Sequence, residues 1–350
     1  MHRFILLLLL ILPGSLLAAE MPPGEIIARA IVYQHPEAAP DVENTSAFNH
    51  GPSIALLPDG HLLAAWFSAV SEGHASQRIM RAVSTDLGLS WSKAEVLQDF
   101  PGRADFDPAL LVAGQQTFLF FSAASPFRVY LRRSADLGQT WAEPVELGQP
   151  NHTTRANPIQ LASGELLAPL HLRGTNGAGV MKSSDDGATW KRFGAVTTPL
   201  GEGGEPSIAQ TKSGQVLMTL RTKDGELWIS RSADRGETWN APAKSGLTAT
   251  TSASHLLALR DGTLVLTYNP DRNELRFPLV LRVSKDEGRT WSSPAIVADR
   301  PAPNPGWSIC YPSATELPDG TLALVWTQIR NIPGPLHGDI HAARFRLTDR

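Results

Sequence analysis

The chain has 350 residues, 31 basic and 34 acidic side chains, a formal net charge of -3 and a single cysteine. No basic tract points to nucleic acid, and a lone Cys310 excludes an intrachain disulfide, so stability must come from an apolar core. At the start, Met1-His2-Arg3, the apolar run Phe4 to Leu12 and Pro13 to Ala19 have the parts of a signal peptide cleaved near Ala18 or Ala19. The run is short and broken by Pro13, which predicts export to the periplasm or beyond without a retained anchor. Residues 20–350 are then expected to form one domain.

Further along, an eight-residue pattern, Ser-x-Asp-x-Gly-x-(Thr/Ser)-Trp, recurs at Ser84–Trp91, Ser134–Trp141, Ser183–Trp190, Ser232–Trp239 and Ser284–Trp291. The starts lie 50, 49, 49 and 52 residues apart, a period that marks a repeat architecture. Each Asp can accept backbone N–H bonds from residues just ahead, the Gly supplies an unusual backbone angle, and the Trp buries a ring beneath the turn.

Between these boxes runs a second phrase, in which one residue precedes Pro or Ser and a short apolar hairpin with a Gly turn. It begins at Gly51-Pro52, Asp107-Pro108, Asn157-Pro158, Glu205-Pro206, Ala253-Ser254 and Tyr311-Pro312. Six hairpins at this spacing, with no sustained helical periodicity, predict an all-β, six-bladed β-propeller. Residues near Ile26–Tyr33 are expected to pair with the tail Ile340–Leu347 and close the ring. Equivalent placement then brings the six leading residues together near the axis.

The boxes resemble those of the sialidase (neuraminidase) superfamily. His50-Gly51-Pro52-Ser53-Ile54, Leu63-Ala64-Ala65-Trp66-Phe67, Asn269-Pro270, Arg276-Phe277-Pro278-Leu279 and Tyr311-Pro312-Ser313 resemble the sialidase-like BNR-repeat proteins, over roughly residues 45–346. The resemblance implies a six-bladed propeller and a retaining exo-glycoside hydrolase that releases a terminal, sialic-acid-like sugar from a glycan and needs no metal or organic cofactor. It also assigns roles. Tyr311 matches the nucleophile, Glu205 its assisting base, and Arg221 and Arg276 two of three arginines that clamp the sugar carboxylate. A tyrosine suits that task because a carboxylate nucleophile would meet the sugar's own anion, and Glu205 must help because a phenol ionises near pH 10.

Two departures follow from the same comparison. The first arginine is absent, since His50-Gly51-Pro52 stands in its place; His50 is expected to offer a hydrogen bond or partial charge, and Arg155 or Arg330 to replace the cation. The acid/base has no clean match, leaving Glu72 or His74, with Asp107 a neighbour that also reads as a backbone tie. His337-Gly338-Asp339-Ile340-His341 holds three potential ligands but reads as a turn entering a strand, with no metal expected. Other readings of the ring are a non-catalytic carbohydrate- or protein-binding propeller, or a glycosidase or lyase acting on another sugar such as a uronic acid.

Overall fold

A computed structural model describes residues 22–35, 47–175, 177–198, 203–271, 276–300, 307–330 and 337–348. The export segment expected at residues 1–19 lies outside them. The described residues form twenty-five strands and no helix, so none is long and apolar enough to cross a membrane as a helix.

The strands make six antiparallel sheets arranged as a propeller. Blade 1 runs Phe48–Leu56, Leu62–Ala69, Arg78–Ser84 and Glu95–Gln98, and blades 2, 4 and 5 repeat that order. In blade 6, Trp307–Glu316, Leu322–Arg330 and His337–Leu347 are joined at the outer edge by Gly24–Tyr33, with Glu25 opposite Arg346 and Ala30 opposite Ala342. Pairing the start of the chain with its end covers an edge that would otherwise expose unpaired backbone. Blade 3 differs, because its inner strand is split into His152–Thr153 and Ile159–Gln160.

Register assigns each feature to one end of the ring. In blade 1, Leu56 pairs with Leu62 and Leu62 with Ser84, whereas His50 pairs with Phe67 at the opposite end. The Asp boxes, which start at residues such as Ser84, therefore occupy one face, and the starts of the inner strands occupy the other. Between blades the core is aliphatic and aromatic. Trp66 and Trp326 are fully buried, and each ring contributes on the order of 2–3 kcal/mol by leaving water.

Each box closes as its residue types require. In the second, Ser134 Oγ and the Thr140 amide donate to Asp136 Oδ1 at 2.7 and 2.8 Å, Thr140 Oγ1 donates to Oδ2 at 2.6 Å, and Trp141 Nε1 donates to the Gly138 carbonyl at 2.9 Å. Hydroxyl and amide donors hold Asp86, Asp136, Asp185 and Asp234 at about 2, below the usual 3.8. Asp286 reaches about 2 as well, its donors outweighing a burial effect that acts upward. A carboxyl whose folded pKa is depressed adds stability above its unfolded pKa and loses it as pH falls through the folded one. Thermal melts should therefore lose stability most steeply between about pH 4 and 2, and the double variant Asp136→Asn, Asp185→Asn should show a shallower loss there. Equal slopes for variant and parent would contradict this.

Inner strands of blades 1, 2, 4 and 6 each carry a bulge, between His50 and Ser53, Phe106 and Ala109, Gly204 and Ser207, and Cys310 and Ser313. At every one, the residue before the proline is left-handed: Gly51 (φ 62), Asp107 (φ 49), Glu205 (φ 45) and Tyr311 (φ 57). Only the first is a glycine, so Asp107, Glu205 and Tyr311 hold a backbone that costs each of them of order 1–3 kcal/mol. A bulge re-aims its side chain out of the pleat, here toward the axis. Asn157, the third member of the set, has no such angle and acts as a lock. Its Oδ1 accepts from Ser53 and Ser313, each at 3.0 Å, and its Nδ2 donates to the Ile54 carbonyl at 2.9 Å, tying blades 1, 3 and 6.

Candidate active site

The bulged face opens into a cavity of about 450 Å³ on the axis, a size typical of small-molecule sites. Tyr311 and Glu205 meet there. Tyr311 Oη donates to Glu205 Oε1 at 2.9 Å, and Arg221 Nη1 donates both to Glu205 Oε2 at 2.6 Å and to Tyr311 Oη at 2.9 Å. Arg221 reaches both because it ends the second strand of blade 4, where its partner in register is Gly204, the residue before Glu205.

The Tyr311 ring is enclosed by charge. The Arg155 guanidinium lies 4.6 Å and that of Arg276 5.4 Å from its centroid, and the His50 ring is 4.2 Å away. Arg276 leads into the third strand of blade 5, lines the cavity, and approaches Cys310 Sγ at 3.9 Å. It pairs with no carboxylate among the described residues.

Burial raises the Tyr311 phenol well above its ordinary range, and the Glu205 charge adds to that effect, while Arg221 and Arg276 oppose it. For Glu205, burial acts upward but Arg221, in charge and in hydrogen bond, outweighs it and holds the carboxyl at about 2. Arg221 is held protonated in return: burial acts downward, and the charges and hydrogen bonds of Glu205 and Tyr311 together outweigh it. His50 is buried and, from that burial and the nearby Arg276 and Arg155, is pushed well below its ordinary value. It stands in the site as a neutral imidazole rather than as a substitute cation.

Glu72 lines the rim from the loop after Leu62–Ala69, its carboxyl raised by desolvation. His74, by contrast, is turned toward Ser76, whose Oγ lies 2.8 Å from its Nδ1, and does not line the cavity. Asp107, half-buried, does not line the cavity but sits beside Gly51, where a Cβ would come 3.3 Å from its Oδ1. Burial raises Asp107 to about 7 against the pull of Arg155.

Arg330 is a correction. The strand Leu322–Arg330 delivers its guanidinium to Asp339, 2.9 Å away, at the junction with His337–Leu347, and it does not line the cavity. The same ion pair accounts for Asp339 in the His337-to-His341 run, and His341 stacks on Trp326. Among the described residues no group of three or more His, Cys, Asp or Glu is placed to hold a metal.

Further wall residues had no motif to announce them. Arg173, His171 and Lys223 line the cavity from blades 3 and 4. Arg173 follows Asn157 by 16 residues, as Arg221 follows Glu205, so the repeat register carried its signal. His171 is held at about 4 by burial and packs against Gly204, where any Cβ would come within 2.8 Å of the ring. With Arg173, Arg221, Lys223 and Arg276 against Glu72 and Glu205, the wall is cationic. A groove of about 500 Å³ on the Asp-box face, beside the fifth box, lacks that bias because Lys212, Lys285 and Arg289 are matched in number by Asp261, Asp286 and Glu287, with Arg289 3.6 Å from Glu287.

Comparison with known proteins agrees with this architecture. Residues 60–324 match the family described as a BNR repeat-like domain. A sialidase of Micromonospora viridifaciens is 24% identical over 326 residues, covering 79% of this chain and 49% of the relative, so the chain spans about half the length of that protein. Among solved structures, a protein of unknown function from Dyadobacter fermentans DSM 18053 superposes with a TM-score of 0.74 at 19% identity, over 93% of this chain and 100% of that one. The intramolecular trans-sialidase from Ruminococcus gnavus, complexed with oseltamivir carboxylate, gives 0.70 at 16% identity over 86% and 95%. Family match and shared ring together establish that the chain belongs to the BNR repeat-like domain family, as a sialidase-like six-bladed β-propeller.

Proposed function

We propose that the protein is a sialidase-like exo-glycoside hydrolase that releases a terminal, carboxylate-bearing sugar with retention of configuration. The observation that carries this reading is the Tyr311–Glu205–Arg221 hydrogen-bonded set in a cavity whose wall also presents Arg276. The activities named for the relatives in Micromonospora and Ruminococcus support the same class.

In the free site Glu205 is too acidic to deprotonate a phenol, because Arg221 holds its charge. A sugar carboxylate between Arg221 and Arg276 competes with Glu205 for Arg221, removing the cause of that acidity when substrate arrives. Glu205 then takes the Tyr311 proton, and the phenolic oxygen bonds to the anomeric carbon as the bond to the leaving oxygen breaks. Glu72 supplies the proton that this oxygen needs. In the second half, a water loses a proton to Glu72 and its oxygen attacks the anomeric carbon. The tyrosyl bond breaks, and Tyr311 recovers its proton from Glu205.

The test is product analysis. Purified protein is incubated with aryl glycosides of a sialic acid, a uronic acid and a neutral sugar, and the first-formed anomer is read by proton NMR. Release of the sialic acid with retention is expected. Inversion or an unsaturated product contradicts the mechanism, and glycan binding without release from any substrate favours the binding-propeller reading.

A further inference from the structure

We propose that Arg155, held beneath the Tyr311 ring, favours the ionised form of that tyrosine during the reaction and so acts as its positioning residue; this rests on the retaining reading above. The split in the inner strand of blade 3, between His152–Thr153 and Ile159–Gln160, frees Arg155 from sheet pairing. Its side chain reaches the centre, where it meets the Gly51 carbonyl of blade 1 and the Tyr311 ring of blade 6.

Arg155 is only 3% exposed, yet it forms no ion pair among the described residues. One long hydrogen bond, Nη1 to the Gly51 carbonyl at 3.3 Å, is its polar contact, and Nε is buried without a partner. A guanidinium so placed is costly to desolvate. Tying the blades together does not require it, since Asn157 does so with three shorter bonds two residues later. Its compensation is electrostatic: the face of Tyr311 at 4.6 Å, and the fields of Glu205 and Asp107, both of which it pulls downward.

Counting charge shows what this position does. Around the Tyr311 ring and Arg155 stand Glu205, Arg221, Arg276, Asp107 and the imidazoles of His50 and His255. His50 and His255 are neutral, because burial and neighbouring cations depress them, and Asp107, at about 7, can hold a proton. In the reacting state Glu205 takes the tyrosine proton and loses its charge, so the negative charges are the sugar carboxylate and the oxygen of the ionising tyrosine. Arg221 and Arg276 line the cavity where they meet the sugar carboxylate. Arg155 stands over the ring of the ionising tyrosine, where a cation favours the phenolate because its face is more negative than that of the phenol. Arg155 does not line the cavity, so its influence falls on Tyr311 more than on substrate binding.

The experiment compares wild type, Arg155→Met and Arg155→Lys on an aryl sialoside across pH, with thermal melts as a folding control. Arg155→Met is expected to lower kcat about 100-fold with KM within about threefold, and to move the rising limb of the rate profile to higher pH. Arg155→Lys restores charge without the planar stack and should recover about tenfold of that loss. A merely structural arginine predicts instead that kcat and KM worsen together, with an unmoved pH profile and no rescue by lysine, and that result overturns the proposal. Should Arg155→Met not fold, the lysine variant decides: a profile shifted to higher pH with kcat within about tenfold of wild type supports the role, and an unshifted profile overturns it. Wild type that turns over beside an equally active Arg155→Met refutes the role alone, whereas wild type that releases nothing refutes the functional reading and this role with it.

Discussion

Tyr311→Phe is expected to stop turnover while leaving the fold intact. The substitution removes one oxygen, which donates to Glu205 at 2.9 Å and accepts from Arg221 at 2.9 Å. The ring keeps its place among His50, Arg155 and Arg276, and the 2.6 Å pair between Arg221 and Glu205 survives. The stability cost should therefore be of order 1–2 kcal/mol, the worth of hydrogen bonds to charged groups. Loss of the proposed nucleophile, by contrast, should lower kcat by on the order of 1,000-fold or more. A thermal melt beside single-turnover kinetics separates the two effects. Activity within tenfold of wild type would exclude Tyr311 as the nucleophile and return the site to a binding role.

Removing each arginine of the proposed clamp should produce different phenotypes, because among the described residues only Arg221 has a carboxylate partner. Arg221→Met leaves Glu205, whose side chain is 15% exposed, without its cation, and about 2–4 kcal/mol of stability should be lost at neutral pH. The sign with pH follows from the shift. Glu205 is depressed from 4.5 to about 2, so the pair contributes stability above about pH 4.5, and that contribution disappears as pH falls toward 2. The stability gap between Arg221→Met and wild type should accordingly be widest at neutral pH and narrow in acid. Arg276→Met breaks no ion pair among the described residues and should change stability by less than about 1 kcal/mol. Its effect should fall on ligand binding, with about 10–100-fold weaker affinity for an unsaturated sugar carboxylate, the value of one charge-assisted contact. Denaturant melts at two pH values and calorimetric titration of that ligand test both. Equal stability loss in the two variants, or unchanged affinity in Arg276→Met, would dismiss the clamp.

The ring was legible in the sequence because it is built from local chemistry. An Asp box closes on its own eight residues, and its recurrence near every fifty residues reports the blades without reference to anything distant. The same counting aligned the phrases led by Asp107, Glu205 and Tyr311, and it also held Arg173, which lies 16 residues after Asn157. Closure was legible too, since an open propeller leaves a sheet edge that the first and last strands can cover.

Direction was not legible. A strand read by its period of two does not announce the left-handed residue before a proline that swings Glu205 and Tyr311 into the axis. Nor does it reveal that Arg330, though at a strand end like Arg221, spends its charge on Asp339. The meeting of Tyr311 with Glu205 across 106 residues, and of its ring with Arg155 across blades, exists only when the circle closes. By itself, then, the sequence determined the repeat, the number of blades and the residues that lead them, because those depend on contacts a few residues apart. Which side chains share one cavity, which are neutral and which cation lies beneath the tyrosine were decided by tertiary structure alone, since burial and charge act between groups that only folding brings together.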